Sequence, residues 1–147
     1  MSWCTRLAAS IMVTMTRYAI DAPTALRILR EKVVIAPSDQ LVAPGLLRSQ
    51  ALSQLYREVH AGLIDEASGR TQLERLAELK IRLLGDRVSR ATAWKIAASL
   101  GWLDTGPAEY LAVATLQADA LVTDDALLRA GAGGLIPVAP FAALASD

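Results

Sequence analysis

Short apolar runs that stop on Asp, Pro or Gly alternate along this chain with longer stretches of helical periodicity, and that alternation limits the fold more than any other feature. Arg17 to Ile20 reads as a strand ended by Asp21-Ala22-Pro23, and Thr24 to Lys32 as a short helix. Gln40 to Ala43 is a second strand, stopped by Pro44-Gly45. Leu46 to Ala61 repeats Leu47, Ala51, Leu55 and Val59 every fourth residue, with Leu52 and Tyr56 beside them, and Gly62 ends that helix. Asp65 to Lys80 follows as a partner helix with Leu73, Leu76, Ala77 and Leu79 on one face, the two forming an αα-hairpin. Ile81 to Leu84 fits either a strand or a helical end. Ser89 to Leu100 and Pro107 to Gln117 are helical. Ala120 to Thr123 is a buried strand, Asp124-Asp125 follow it, and Ala126 to Arg129 turn helical. Gly131 to Gly134 reads as a loop and Leu135 to Val138 as a last strand. Strands alternating with helices imply an α/β fold, a mainly parallel sheet covered on both faces.

The chain has 147 residues, 53% hydrophobic and 20% charged, which suits one domain with a full core and excludes a disordered chain. A mean hydropathy of +0.33 leaves apolar surface beyond what one small core uses, as a lasting protein partner would require. Lys and Arg total 15 and so do Asp and Glu, so no global positive field draws in nucleic acid. Binding to RNA would need a local patch or a metal ion. Cys4 is the single cysteine, which excludes an internal disulfide and thiolate zinc sites and suits a reducing, cytoplasmic setting. No apolar run reaches the roughly 20 residues that span a bilayer. Arg6 and the stretch Leu7 to Val13 carry a faint signal-peptide pattern, broken by Ser10 and Thr14 and without a convincing cleavage site. Residues 1–14 are therefore read as a disordered or loosely helical extension or as an artefact of start-codon choice, with Met15 as the other candidate start, and residues 15–147 as the domain.

Open parallel sheets bind ligands at the carboxyl ends of their strands. Asp21 ends the first strand, and Asp124 and Asp125 end the Ala120–Thr123 strand, so both deliver carboxylates to one sheet edge. Gathered carboxylates repel unless a cation sits between them, and oxygen-only ligands favour magnesium or manganese. Helix capping is the competing explanation, since Asp21 and Asp124 each precede a helix.

These segments resemble the PIN-domain nucleases. Arg17-Tyr18-Ala19-Ile20-Asp21 looks like their first strand and first acid, and Leu41 to Leu52 like their second strand and its helix. Ala108-Glu109-Tyr110-Leu111-Ala112-Val113-Ala114 is similar to their penultimate helix, and Ala120-Leu121-Val122-Thr123-Asp124-Asp125 to their last acidic strand end. The resemblance spans about 125 residues, a whole domain, and the order of the blocks is that of VapC-type toxins of type II toxin–antitoxin systems. It implies a PIN-like three-layer sandwich and a magnesium-dependent endoribonuclease, with manganese as an alternative ion. It also implies a cognate antitoxin that occludes the site, an RNA substrate and a toxin homodimer.

On that resemblance Asp21 is the first acid and Asp125 the acid of the Thr-x-Asp pattern begun by Thr123, with Asp124 an added carboxylate. The metal set is then Asp21, Asp124 and Asp125, and the catalytic set Asp21, Glu109 and Asp125. Two family acids are altered: Gln50 stands where Glu is usual, and Pro107 where Asp is usual. Glu109 could compensate for Pro107 or could satisfy a helix N-terminus, while Asp104 reads as a cap. Arg48 and Arg87 fit solvated helix positions as well as phosphate contacts, Trp94 and Trp102 read as core or interface anchors, and His60 as a helix-end cation. Two rivals remain: a PIN-like protein that binds an antitoxin without cleaving RNA, and another α/β phosphate-handling enzyme such as a phosphatase. Because nothing before Met15 carries periodic core residues, a chain beginning at Met15 should keep its melting temperature to within about one or two degrees. A larger drop in a thermal melt would show that Leu7 to Val13 docks on the domain.

Overall fold

Four of the apolar runs become strands: β1 (Thr16–Ile20), β2 (Asp39–Pro44), β3 (Ile81–Leu84) and β4 (Ala120–Val122). The computed structural model describes residues 15–145, so the expected N-terminal extension lies outside the described residues. The strands form one sheet in the order β3-β2-β1-β4, and each adjacent pair is parallel. Ile81 to Leu84 is thus a strand, paired from Leu41↔Ile81 to Pro44↔Leu84. Consecutive residues on a strand point to opposite faces. Ala19 and Ile20, Leu41 to Pro44, and Leu121 and Val122 are all buried, so both faces of the sheet are covered.

Six helices among the described residues provide that cover: α1 (Ala22–Arg30), α2 (Leu46–His60), α3 (Glu66–Glu78), α4 (Arg87–Leu100), α5 (Gly106–Gln117) and α6 (Ala126–Ala132). A short 3-10 helix at Phe141–Leu144 follows them. α1 packs with α2 and α3, while α5 packs with α4 and α6 and against β1, β2 and β4. Asp21, Asp65, Asp86 and Asp125 cap α1, α3, α4 and α6, each accepting from the backbone N–H three residues on. Such a cap is worth about 0.5–2 kcal/mol. Gly101 ends α4 at φ 70°, a left-handed conformation that a side chain resists. α5 buries Tyr110 through Ala114 without a break, which marks it as the central helix of its layer. No helix among the described residues is long and apolar enough to cross a membrane.

Two expectations are corrected. Gly131 and Ala132 belong to α6 and not to a loop. A Cβ on Gly131 would come within 2.7 Å of the Trp102 ring and 2.9 Å of Leu111, so the glycine serves close packing. The run Leu135 to Val138 forms no strand, only a parallel bridge between Leu121 and Val138. Pro137 accepts from Leu121 N at 2.9 Å but has no N–H to extend the ladder. The helical hairpin buries less than its periodicity suggests. Leu47, Ala51 and Leu55 of α2 and Leu76 of α3 are buried, whereas Leu52 is 50% exposed, Tyr56 70% and Leu73 37%.

Gly131→Ala should cost about 1–3 kcal/mol through overpacking against Trp102. Gly133→Ala should be close to neutral, because its Cβ meets nothing nearer than 3.4 Å. Denaturant melts of the two variants check this difference; equal midpoints would refute the packing account of Gly131.

Candidate active-site cleft

The strand order contains one reversal. The chain steps outward from β1 to β2 to β3, then returns to place β4 on the other side of β1. Open α/β sheets have their crevice at such a switch point, beyond the carboxyl ends of the strands. Here the register Ile20↔Val122 sets the next residues, Asp21 and Thr123, side by side.

Asp21 is 4% exposed and its two carboxylate oxygens are held separately. The Thr123 hydroxyl donates to Oδ2 at 2.5 Å. Oδ1 accepts from Thr24 N at 3.0 Å and from the Thr24 hydroxyl at 2.5 Å. A buried carboxylate left without donors would cost several kcal/mol, so these bonds are what make its burial tolerable. Thr123 also accepts from Asp125 N at 3.0 Å, which fixes the turn into α6. Asp125 then uses Oδ1 to cap α6 through Leu128 N at 3.0 Å. Capping and a place at the sheet edge are therefore not alternatives for Asp21 and Asp125: each does both.

A cleft of about 440 Å³ opens over this edge, and Asp21 and Asp125 both line it. Gln50, Pro107 and Tyr110 line it too. The buried Tyr110 hydroxyl donates to Gln50 Oε1 in a short hydrogen bond. Burial first, then the charges of Asp21 and Glu109, push the Tyr110 phenol above its ordinary pKa, so it keeps its proton.

Asp124 and Glu109 are not brought into the cleft. Asp124 precedes the capping residue and turns outward, 79% exposed, where it pairs with Arg27 at 3.3 Å and Arg129 at 3.9 Å. Glu109 lies two positions after Pro107 and so points away from it around the helix. It lines a narrow gap with Pro44, Gly85 and Arg90. Asp104 accepts from Gly106 N at 3.2 Å just ahead of α5, whose cap position is Thr105 and not Asp104. Arg48 borders an apolar groove beside Leu52 and Leu73, and Arg87 opens α4, so neither lines the cleft. Trp102 packs over Gly131, Trp94 is 72% exposed, and His60 stacks on Tyr56 with ring centroids 6.2 Å apart.

The sequence reading missed the α2 side of the cleft, where Ser49, Ser53, Gln54 and Arg57 join Gln50. Their signal was a polar stripe beside the buried Leu47, Ala51 and Leu55, which any solvated helix face also shows. Thr24 was missed as well, although Thr three residues after a capping Asp is a local pairing pattern.

No set of three or more His, Cys, Asp or Glu side chains placed to hold a metal occurs among the described residues. Two carboxylates on one cleft still fit magnesium, which is commonly held by one or two carboxylates with water and substrate phosphate completing its shell.

No family model and no curated protein matches this sequence. Solved structures do. The crystal structure of PAE2754 from Pyrobaculum aerophilum aligns with a TM-score of 0.67 at 24% identity, covering 90% of this chain and 93% of that one. VapBC-1 from nontypeable Haemophilus influenzae aligns with a TM-score of 0.57 at 15% identity, covering 86% of this chain and 99% of that one. At these identities the likeness speaks to the fold. Parallel sheet, helical layers and near-complete overlap with both structures together make this a PIN-like fold.

Proposed function

We propose that this chain is a metal-dependent endoribonuclease and the toxin of a toxin–antitoxin pair. The observation that carries the reading is the pair Asp21 and Asp125, set by the β1–β4 register on one cleft at the switch point. Asp21, fixed by Thr24 and Thr123, and Asp125, fixed by its cap on α6, would hold magnesium or manganese. A divalent ion there would supply a water of lowered pKa and offset charge on the leaving oxygen. The protein's part is to keep both carboxylates rigid and to orient the RNA phosphodiester between them and α2. An antitoxin partner suits the exposed Leu52, Tyr56 and Leu73, which border a groove of about 290 Å³ between α2 and α3. The same reading includes a homodimer and a cytoplasmic setting.

One observation favours a second reading. Gln50 and Pro107 remove two charges from a cleft that would otherwise hold four acids, and fewer charges hold a hard dication less well. A PIN-like protein that binds an antitoxin without cutting RNA would have this cleft. Titration calorimetry with manganese, followed by an RNase assay with and without chelator, separates the two.

Asp21→Asn should abolish both cleavage and manganese-dependent thermal stabilisation. At an ion concentration 100 times Kd the parent should gain about 2.7 kcal/mol, and the variant nothing. An undiminished manganese shift in the variant would remove Asp21 from the site.

Pro107→Asp should tighten metal binding and raise cleavage by about tenfold, equivalent to about 1.4 kcal/mol of transition-state stabilisation. Asp suits the first turn of α5, where it complements the helix dipole. Since Glu109 lines a different gap, Glu109→Gln should leave both the parent and the Pro107→Asp variant nearly as they were. Loss of cleavage in the parent alone would instead identify Glu109 as the substitute for the missing acid.

A further inference from the structure

The cleft has two walls of opposite character. One carries the carboxylates of Asp21 and Asp125; the other is a face of α2 carrying Gln50, Ser53, Gln54 and Arg57. Gln has one acceptor oxygen and two N–H donors on its side chain. Tyr110 donates to that oxygen, so the anchored end of Gln50 is its acceptor and the end left for a ligand is its N–H₂ group. A residue that replaces an acid thus presents donors. Arg57 lies two turns further along the same face, about 10 Å from Gln50 along the axis, and it also lines the cleft. None of the ion pairs among the described residues uses Arg57.

We propose that the α2 wall is the strand-holding side of the cleft, with the Gln50 amide and the Arg57 guanidinium donating to successive phosphates of single-stranded RNA. Tyr110 is the positioning residue that turns the Gln50 amide toward the ligand. The chemistry of the wall selects an anion, and its two-turn spacing suits a polyanion longer than one phosphate. The choice of RNA rests on the ribonuclease reading. The wall itself does not need a metal, because its donors act on phosphate directly.

The experiment is equilibrium binding of a fluorescent single-stranded oligoribonucleotide in chelator across a salt series, with manganese calorimetry and a thermal melt run on every variant. Arg57→Gln should weaken RNA binding and lower the slope of log affinity against log salt by about 0.7, the loss of one phosphate contact. Its manganese affinity should not change. Gln50→Ala and Tyr110→Phe should each weaken RNA binding severalfold, and the double variant no further, because both remove the same oriented amide. Gln50→Glu should move the two readouts apart: weaker metal-free RNA binding, tighter manganese binding. A merely structural role for Tyr110 would lower the melting temperature and leave the double variant additive. The proposal is overturned if Arg57→Gln keeps the parent's affinity and slope, if the Gln50 and Tyr110 effects add, or if the parent binds no RNA in chelator. An Asp21→Asn variant that retains manganese affinity would sink the metal reading alone and leave the α2 wall to stand or fall on its own data.

Discussion

Asp21 is a carboxylate with almost no exposure, and the arrangement of the cleft depends on how that burial is made tolerable. Thr24 holds one oxygen from the first turn of α1, and Thr123 holds the other from the end of β4. The same Thr123 hydroxyl receives Asp125 N. One carboxylate therefore ties the start of a helix, the end of a neighbouring strand and the turn into α6. Loss of any of these donors would leave a charged oxygen under-satisfied in a low-dielectric place, where the penalty is largest. The network is consequently structural and chemical at once: it keeps Asp21 rigid, and it delivers Asp125 to the same cleft.

From this anchor the rest of the cleft follows by topology. β1 lies between β2 and β4, so the helix after β2 and the turn after β4 approach Asp21 from opposite sides. α5, buried along Tyr110 to Ala114, closes a third side with Pro107 and Tyr110. Gln50 and Pro107 lie on the walls contributed by α2 and α5, while Asp21 and Asp125 stand at the ends of β1 and β4. The carboxylates therefore sit at the most constrained point of the cleft, and its α2 and α5 walls carry neutral side chains at Gln50, Pro107 and Tyr110. The Tyr110–Gln50 bond joins the α5 and α2 walls: the neutral Gln50 oxygen accepts from a phenol whose proton burial makes hard to lose.

The apolar excess in the composition has a location as well. Leu52, Tyr56 and Leu73 lie exposed where α2 and α3 meet, on surfaces whose spacing alone would predict burial. Periodicity reports which residues share a helix face; it does not report whether the domain supplies something to cover that face. Trp94, more exposed than an anchor of the core could be, is a second instance.

The sequence by itself determined most of the alternation of strands and helices, with Ile81 to Leu84 left open, and the acids that terminate β1 and precede α6, because each is written in contiguous residues. Capping, proline stops and helical period are local, and local signals survive in one dimension. It misread Gly131 as a loop and Leu135 to Val138 as a strand, since the first depends on Trp102 from the segment between α4 and α5 and the second on whether Pro137 could extend a ladder. Tertiary structure alone decided which carboxylates share a cleft. Asp124 and Asp125 are adjacent in sequence, yet one pairs with Arg27 in solvent and the other caps α6 beside Asp21. Gln50 and Tyr110, or Asp21 and Thr123, are far apart in the chain and touch because the β1–β4 register and the seat of α5 on the sheet bring them together. Such pairings rest on packing across the whole sheet, and no window of residues contains them.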